Sequence, residues 1–183
     1  MVAALGKLFR ISLSRGKVVI PLKDELEHAR HYCTIQSIRY KERFETRVSA
    51  EPDTENLYTL KLIIQPILEN AIYHGMAAMD EDGCISVHAW RDEQNLYIDV
   101  RDNGLGIPKE TLDSLLDDSK PMKKSKGSGI GVRNIHHRIQ LVFGPAYGLQ
   151  FFSEPDEGTL VRIHLPVLDE QAAERYPREG GQR

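Results

Sequence analysis

The sequence predicts an α+β fold, a two-layer α/β sandwich with a mixed sheet covered on one face by helices. Three observations predict it. Two pairs of short runs alternate apolar and polar residues, and a turn-forming stretch joins each pair, which is the signature of two hairpins. Other stretches repeat apolar residues every three or four positions, the period of half-buried helices. The elements follow in the order helix, strand, helix, hairpin, loop, helix, hairpin, with no internal repeat.

Taken in order, Val2 to Leu13 carries Leu5, Leu8, Phe9 and Leu13 at helical spacing, and Ser14-Arg-Gly16 breaks it before a strand-like Val18-Val-Ile20. From Asp24 to about Arg43 a longer helix turns Leu22, Leu26, Ala29, Cys33, Ile35 and Ile38 inward. Phe44, Thr46, Val48 and Ala50 alternate with polar residues as a half-buried strand, which Glu51-Pro-Asp-Thr54 ends. Leu60, Ile63, Ile64, Ile67, Leu68, Ala71 and Ile72 then form one side of a helix that Gly75 stops. Pro66 lies inside that pattern and removes a backbone donor, so a kink or widened turn is expected just before Glu69.

Ile85, Val87 and Ala89, then Leu96, Ile98 and Val100, give the first hairpin, and Pro108 starts a short helix through Leu115. Asp117 to Lys126, polar and lysine-rich, reads as a loop. A helix with Val132, Ile135, Ile139 and Val142 on one face ends at Gly144-Pro145. Leu149 to Ser153 and Thr159 to Leu165 form the second hairpin, and from Asp169 onward nothing periodic remains, as in a frayed tail.

Composition excludes several classes. With 183 residues, 40% hydrophobic and 28% charged, the chain has the make-up of one globular domain. No apolar run approaches the roughly 20 residues of a bilayer span, and the first residues lack a signal peptide's apolar core, so a soluble chain outside the membrane is expected. A net charge of −3 without a basic stripe argues against nucleic acid. Cys33 and Cys84 lack metal spacing and read as small buried hydrophobes in a reducing compartment.

Three polar motifs carry chemistry. In Gln65-Pro-Ile-Leu-Glu-Asn-Ala-Ile-Tyr-His-Gly75, Asn70 and His74 stand one helical turn apart, so an amide oxygen and an imidazole can reach one ligand. Asn70 can supply the single protein oxygen that a phosphate-bound magnesium ion needs, and Glu69 can orient or deprotonate an attacking group. His74 can touch phosphate, although a lone histidine at a helix end is also an ordinary structural residue. Asp102-Asn-Gly104-Leu-Gly106 puts a carboxylate at a strand exit, with two glycines that let a flat group approach; it suits the exocyclic amine of adenine. The same residues also make a common turn. Gly127-Ser-Gly129-Ile130-Gly131 opens a helix, so backbone N–H groups and the helix dipole can hold a phosphate chain, or the glycines can serve only as a hinge. Lys123, Lys124 and Lys126 read singly as solvated charges and together as a group able to close over an anion.

With Glu69-Asn70-Ala-Ile-Tyr-His74-Gly75, Asp102-x-Gly104-x-Gly106, Gly127-x-Gly129-x-Gly131 and Gly158-Thr159 in this order, the chain resembles the catalytic ATP-binding domain of sensor histidine kinases. It is most similar to the subfamily whose asparagine segment reads Leu-Gln-Pro-Leu-Val-Glu-Asn-Ala-x-x-His-Gly, and the likeness runs over about residues 5 to 166. The resemblance implies a Bergerat-type ATP-binding fold, with Asn70 on magnesium, Asp102 on adenine, and Gly127, Gly129, Ile130, Gly131 and Val132 around the phosphates. It further implies that Thr159 supports the adenine contact and that Ile107 lines the pocket.

The cofactors so implied are ATP and Mg2+. The implied reaction moves the gamma-phosphoryl group of ATP to a histidine and then to a response regulator. The family's acceptor segment, which looks like Pro-His-Phe-Leu-x-Asn, would precede Leu5. The expectation is therefore a fragment without its own acceptor, from the cytoplasmic part of a homodimeric membrane sensor, partnered by the parent's histidine-containing dimerisation segment. Residues 1–22 are then a linker or dimerisation-helix stub, 23–167 the catalytic domain and 168–183 a flexible tail. The alternatives are a nucleotide-sensing or dimerisation module without transfer activity, and an ATP hydrolase of the same fold in which Glu69 activates water.

Overall fold

The computed structural model describes residues 17–41, 43–75, 82–116 and 130–176, with Ile130 described by its backbone alone. The expected helical stub at Leu5 to Leu13, the lysine-rich loop up to Lys126, and Gly127 and Gly129 lie outside these residues. Strand β1 (Val19–Pro21) leads straight into helix α1 (Leu22–Arg39), followed by β2 (Phe44–Ala50) and β3 (Tyr58–Leu60). Helix α2 (Gln65–Asn70) continues into a π-helical turn, Ala71–Gly75. The hairpin β4 (Gly83–Arg91) and β5 (Asn95–Asp102) comes next, then α3 (Lys109–Leu115), α4 (Ile130–Phe143), the hairpin β6 (Gly148–Glu154) and β7 (Gly158–Pro166), and a one-turn α5 (Glu170–Ala173).

Five strands form one mixed sheet in the order β2-β4-β5-β7-β6, with β2 parallel to β4 and every other neighbour antiparallel. The small antiparallel pair β1-β3 stands apart from it. Alternation decides which face is covered, because successive side chains of a strand point to opposite sides. Ile85, Val87 and Ala89, Leu96, Ile98 and Val100, and Val161, Ile163 and Leu165 are all buried in one core with Leu26 and Ala29 of α1, Ile67 and Leu68 of α2, and Ile135 and Ile139 of α4. The opposite face carries a stacked ladder, Trp90 on Tyr97 at 4.3 Å and Tyr97 on His164 at 5.1 Å, beside a two-pronged Arg162–Asp99 ion pair at 2.8 Å. The predicted two-layer α+β sandwich is therefore the observed one.

Five local expectations are corrected. Leu60 is buried as a strand residue of β3, not as the start of a helix, because Leu62 takes a left-handed φ of 57° that no continuous helix accommodates. Pro66 consequently falls in the first turn of α2, where a missing N–H costs little, and the widened turn follows Asn70 instead of preceding Glu69. Helix α1 ends at Arg39, with Ile38 turned outward at 47% exposure, while Glu25, His28 and Tyr32 occupy inward positions. The stretch after Asp169 opens with a capped helical turn, Asp169 accepting the Ala172 N–H at 2.7 Å, and Tyr176 packs edge-on against Phe143. Cys33 is buried, and burial pushes its thiol up to about 12, but Cys84 sits half-exposed on the open face.

Candidate nucleotide site

The inward rows of three neighbouring strands each turn polar at the same end of the sheet. On β5 the buried positions Leu96, Ile98 and Val100 are continued by Asp102, on β7 Val161 is preceded by Thr159, and on β6 Leu149 and Phe151 are followed by Ser153. The register sets the three side by side, Asp102 opposite Thr159 and Thr159 opposite Ser153. A band of carboxylate and hydroxyl groups thus borders an otherwise apolar layer.

Asp102 is 7% exposed. Its Oδ1 accepts the Gly104 N–H at 3.0 Å, and the Thr159 N–H also donates to the carboxylate. Burial pushes its carboxyl above the usual aspartate range, and those two N–H bonds pull the other way. Ser153 Oγ lies 2.8 Å from the Gly158 carbonyl, 2.9 Å from Thr159 Oγ1 and 2.8 Å from the Ile107 N–H.

The loop after β5 is held by close backbone approach. A Cβ on Gly104 would stand 2.3 Å from Gly75 Cα, and one on Gly75 would stand 2.8 Å from Asp102 Oδ1. Gly75 closes the π-helical turn, so the end of the asparagine segment rests directly on the aspartate loop. At the other end of α2, the fully buried Glu25 carboxylate of α1 accepts the N–H groups of Leu62, Ile63 and Ile64 at 2.8, 2.9 and 3.1 Å. Burial raises the Glu25 pKa, while these bonds and the Arg138 charge oppose the rise.

These elements enclose a cavity of about 210 Å³. Of the sequence-predicted site residues, Asn70, His74, Asp102, Gly106, Ile107, Val132 and Thr159 line it. Ile67, Val100, Leu115, Phe151 and Val161 supply apolar wall. Gly104 is buried against Gly75, and Gly131, at the start of α4, lies beside Pro66 of α2. Glu69 does not line the cavity; its Oε1 accepts from Gln65 Nε2 at 2.8 Å. Lys126, Gly127, Gly129 and the Ile130 side chain fall outside the described residues.

Sequence reasoning missed Ser153, Gln65 and Glu25. Ser153 had a signal, its place in the same alternation as Leu149 and Phe151. Glu25 had none, since an acidic residue on a helix ordinarily faces water.

A buried carboxylate and hydroxyl thus sit at the edge of an apolar slot that Asn70 also lines from the neighbouring helix. Residues 55–169 match the Histidine kinase-, DNA gyrase B-, and HSP90-like ATPase family, and residues 1–44 match the Histidine kinase family. The chain belongs to the Histidine kinase-, DNA gyrase B-, and HSP90-like ATPase family.

Among its relatives, the sensor histidine kinase YesM of Bacillus subtilis is 33% identical over 170 residues, which are 93% of this chain and 28% of that protein. The sensor histidine kinase BtsS of Escherichia coli is 29% identical over 171 residues, again 93% and 28%. The chain thus spans under a third of the length of the curated relatives it matches. In fold it resembles the histidine kinase domain of a blue-light activated kinase from Erythrobacter litoralis, with a TM-score of 0.60, 20% identity and coverage of 94% of this chain and 75% of that one. The catalytic domain of histidine kinase ThkA gives a TM-score of 0.57 at 16% identity, covering 81% and 93%. Among the described residues no helix is long and apolar enough to cross a membrane.

Proposed function

We propose that this site binds Mg-ATP and donates the gamma-phosphoryl group to a histidine on an acceptor segment of the parent protein, from which a response regulator is phosphorylated. The observation that carries the reading is the buried Asp102 carboxylate in a cavity also lined by Asn70 and Thr159. In this reading the adenine amine donates to Asp102, and Ile107, Val100 and Phe151 sandwich the ring. The phosphates extend past Asn70 and His74 toward the start of α4, where Lys126, Gly127, Gly129, Ile130, Gly131 and Val132 are assigned to hold them.

Among the described residues no group of three or more His, Cys, Asp or Glu could form a metal cage. Asn70 lines the cavity and is the ligand assigned to magnesium, which is commonly held by phosphate oxygens and water with few protein ligands. Bound there, the ion would neutralise phosphate charge. Positioning and charge neutralisation do most of the work in phosphoryl transfer. Glu69, next to Asn70 and bonded to Gln65, is assigned to orienting or deprotonating the acceptor.

The test is titration of ATP with and without magnesium into wild type, Asn70→Ala and Asp102→Ala, followed by incubation with a separately supplied acceptor segment. Asp102→Ala should abolish binding, Asn70→Ala should remove its magnesium dependence, and wild type should label a histidine of the acceptor. Unchanged binding in both variants would refute the site. Tight ATP binding with no labelling would leave a nucleotide-sensing module, and phosphate release without acceptor would mark a hydrolase.

A further inference from the structure

We propose that Ser153 is a positioning residue that makes the base pocket selective for a 6-amino over a 6-oxo purine by fixing the proton of Thr159. The inference rests on the adenine-binding reading of Asp102 and deepens it. Ser153 Oγ has one proton and three neighbours within bonding distance. The Gly158 carbonyl oxygen can only accept, so it takes the serine proton at 2.8 Å. The Ile107 N–H can only donate, so it occupies one oxygen lone pair at 2.8 Å. What remains for the 2.9 Å contact with Thr159 Oγ1 is the second lone pair, and Thr159 must be the donor.

The consequence reaches the ligand. Thr159 is buried and lines the cavity next to Asp102. With its proton spent on Ser153, its oxygen offers only lone pairs to the cavity, and the Asp102 carboxylate is likewise acceptor-only when ionised. The polar end of the slot therefore accepts twice and donates nothing. A 6-amino purine brings two N–H donors on one nitrogen and satisfies it. A 6-oxo purine brings an acceptor to face acceptors, and neither side can rotate a proton into the gap. Without the serine hydroxyl, Thr159 regains a free rotor that can donate to a carbonyl.

The experiment measures affinities of the whole chain, with magnesium, for ATP, ITP and purine riboside triphosphate, which has no 6-substituent. Wild type, Ser153→Ala and Ser153→Thr are compared. Wild type should prefer ATP to ITP, Ser153→Ala should narrow that preference about tenfold, and Ser153→Thr should restore it, since threonine keeps the hydroxyl. The narrowing should come from tighter ITP relative to purine riboside triphosphate, because the mechanism concerns the carbonyl. Parallel weakening of all three ligands, or an ATP-to-ITP ratio within twofold of wild type, would overturn it and leave Ser153 a loop anchor. Should Ser153→Ala fail to fold, Ser153→Cys replaces it, with the same narrowing expected and the same overturning result. Failure of wild type to bind any of the three would sink the adenine reading itself, an outcome distinct from loss of selectivity alone.

Discussion

Replacing Asp102 by asparagine separates binding from stability. The carboxylate has about four acceptor positions; the Gly104 and Thr159 N–H groups use two of them, and the rest face the cavity. Asparagine keeps the shape but converts one oxygen into a donor. If its oxygen stays on the backbone N–H groups, its NH2 meets the ligand amine; if it flips, its NH2 meets the Gly104 N–H. Either way the bound complex contains a donor facing a donor. Losing a charge-assisted bond, about 1.5–3 kcal/mol, and leaving a buried donor unpaired, about 1–3 kcal/mol, sum to roughly 3–4 kcal/mol after relaxation, an affinity loss of about 10² to 10³. The unliganded domain is spared most of this. Removing a carboxylate that burial already disfavours relieves desolvation and offsets the weakened backbone bonds, so the unfolding free energy should change by under about 1 kcal/mol. Calorimetric ATP titration beside urea unfolding reads both quantities. Asp102→Asn that folds like wild type and binds ATP within about fivefold of it would refute the assignment of Asp102 to the amine.

Because the Asp102 pKa lies above the unperturbed 3.8, acidification should weaken ATP binding as the pH falls through the raised value, since only the ionised carboxylate accepts. Over the same range its contribution to stability should increase, because the folded state holds the proton more tightly than the unfolded one; affinity and melting temperature moving in the same direction would contradict this. Gly104→Ala places a Cβ 2.3 Å from Gly75 Cα and 2.4 Å from Gly75 O, both backbone atoms. It should destabilise by about 2 kcal/mol and weaken ATP binding more than tenfold, so unfolding and titration together decide it. Glu25→Ala strands the N–H groups of Leu62, Ile63 and Ile64, which should cost on the order of 4 kcal/mol in urea unfolding; a loss under 1 kcal/mol would show that those groups find other partners.

Much of the sheet was readable because its alternation is unbroken. Leu96, Ile98, Val100 and Asp102 keep strict period, so the buried side of the carboxylate follows from the three apolar residues before it. Thr159 obeys the same rule on β7 but was reached through resemblance. Ser153 escaped notice because Phe151 and Phe152 are adjacent, and two large aromatics in succession hide which face is inner; Phe152 lies on the open side, where Arg162 covers its ring at 5.9 Å. The start of α2 was misplaced because Leu60, Ile63 and Ile64 fit a helical period by coincidence. Only the left-handed Leu62 separates strand from helix, and a left-handed leucine has no sequence signal. Gly75 was read as a helix stop, yet its missing side chain matters equally to Asp102 and Gly104, partners set by tertiary packing.

The geometry of α2 explains how so short an element can hold Asn70 in place. Six residues cannot sustain a helix in isolation, because nucleation costs more than so few backbone bonds return. Both ends are instead fixed from outside. Glu25 of α1 takes the unpaired N–H groups ahead of the first turn, and Gly75 seats the π-helical turn on Asp102 and Gly104 at the last. Asn70 stands between these anchors, so its distance from Asp102 is set by the packing of α1 and the β5 exit loop, not by the propensity of its own segment. A displacement of α1 along its axis would therefore reach Asn70 through Glu25 before it reached Asp102, which is tied to the sheet by Thr159. The helix that the Histidine kinase family match spans thus holds the asparagine segment directly, through Glu25.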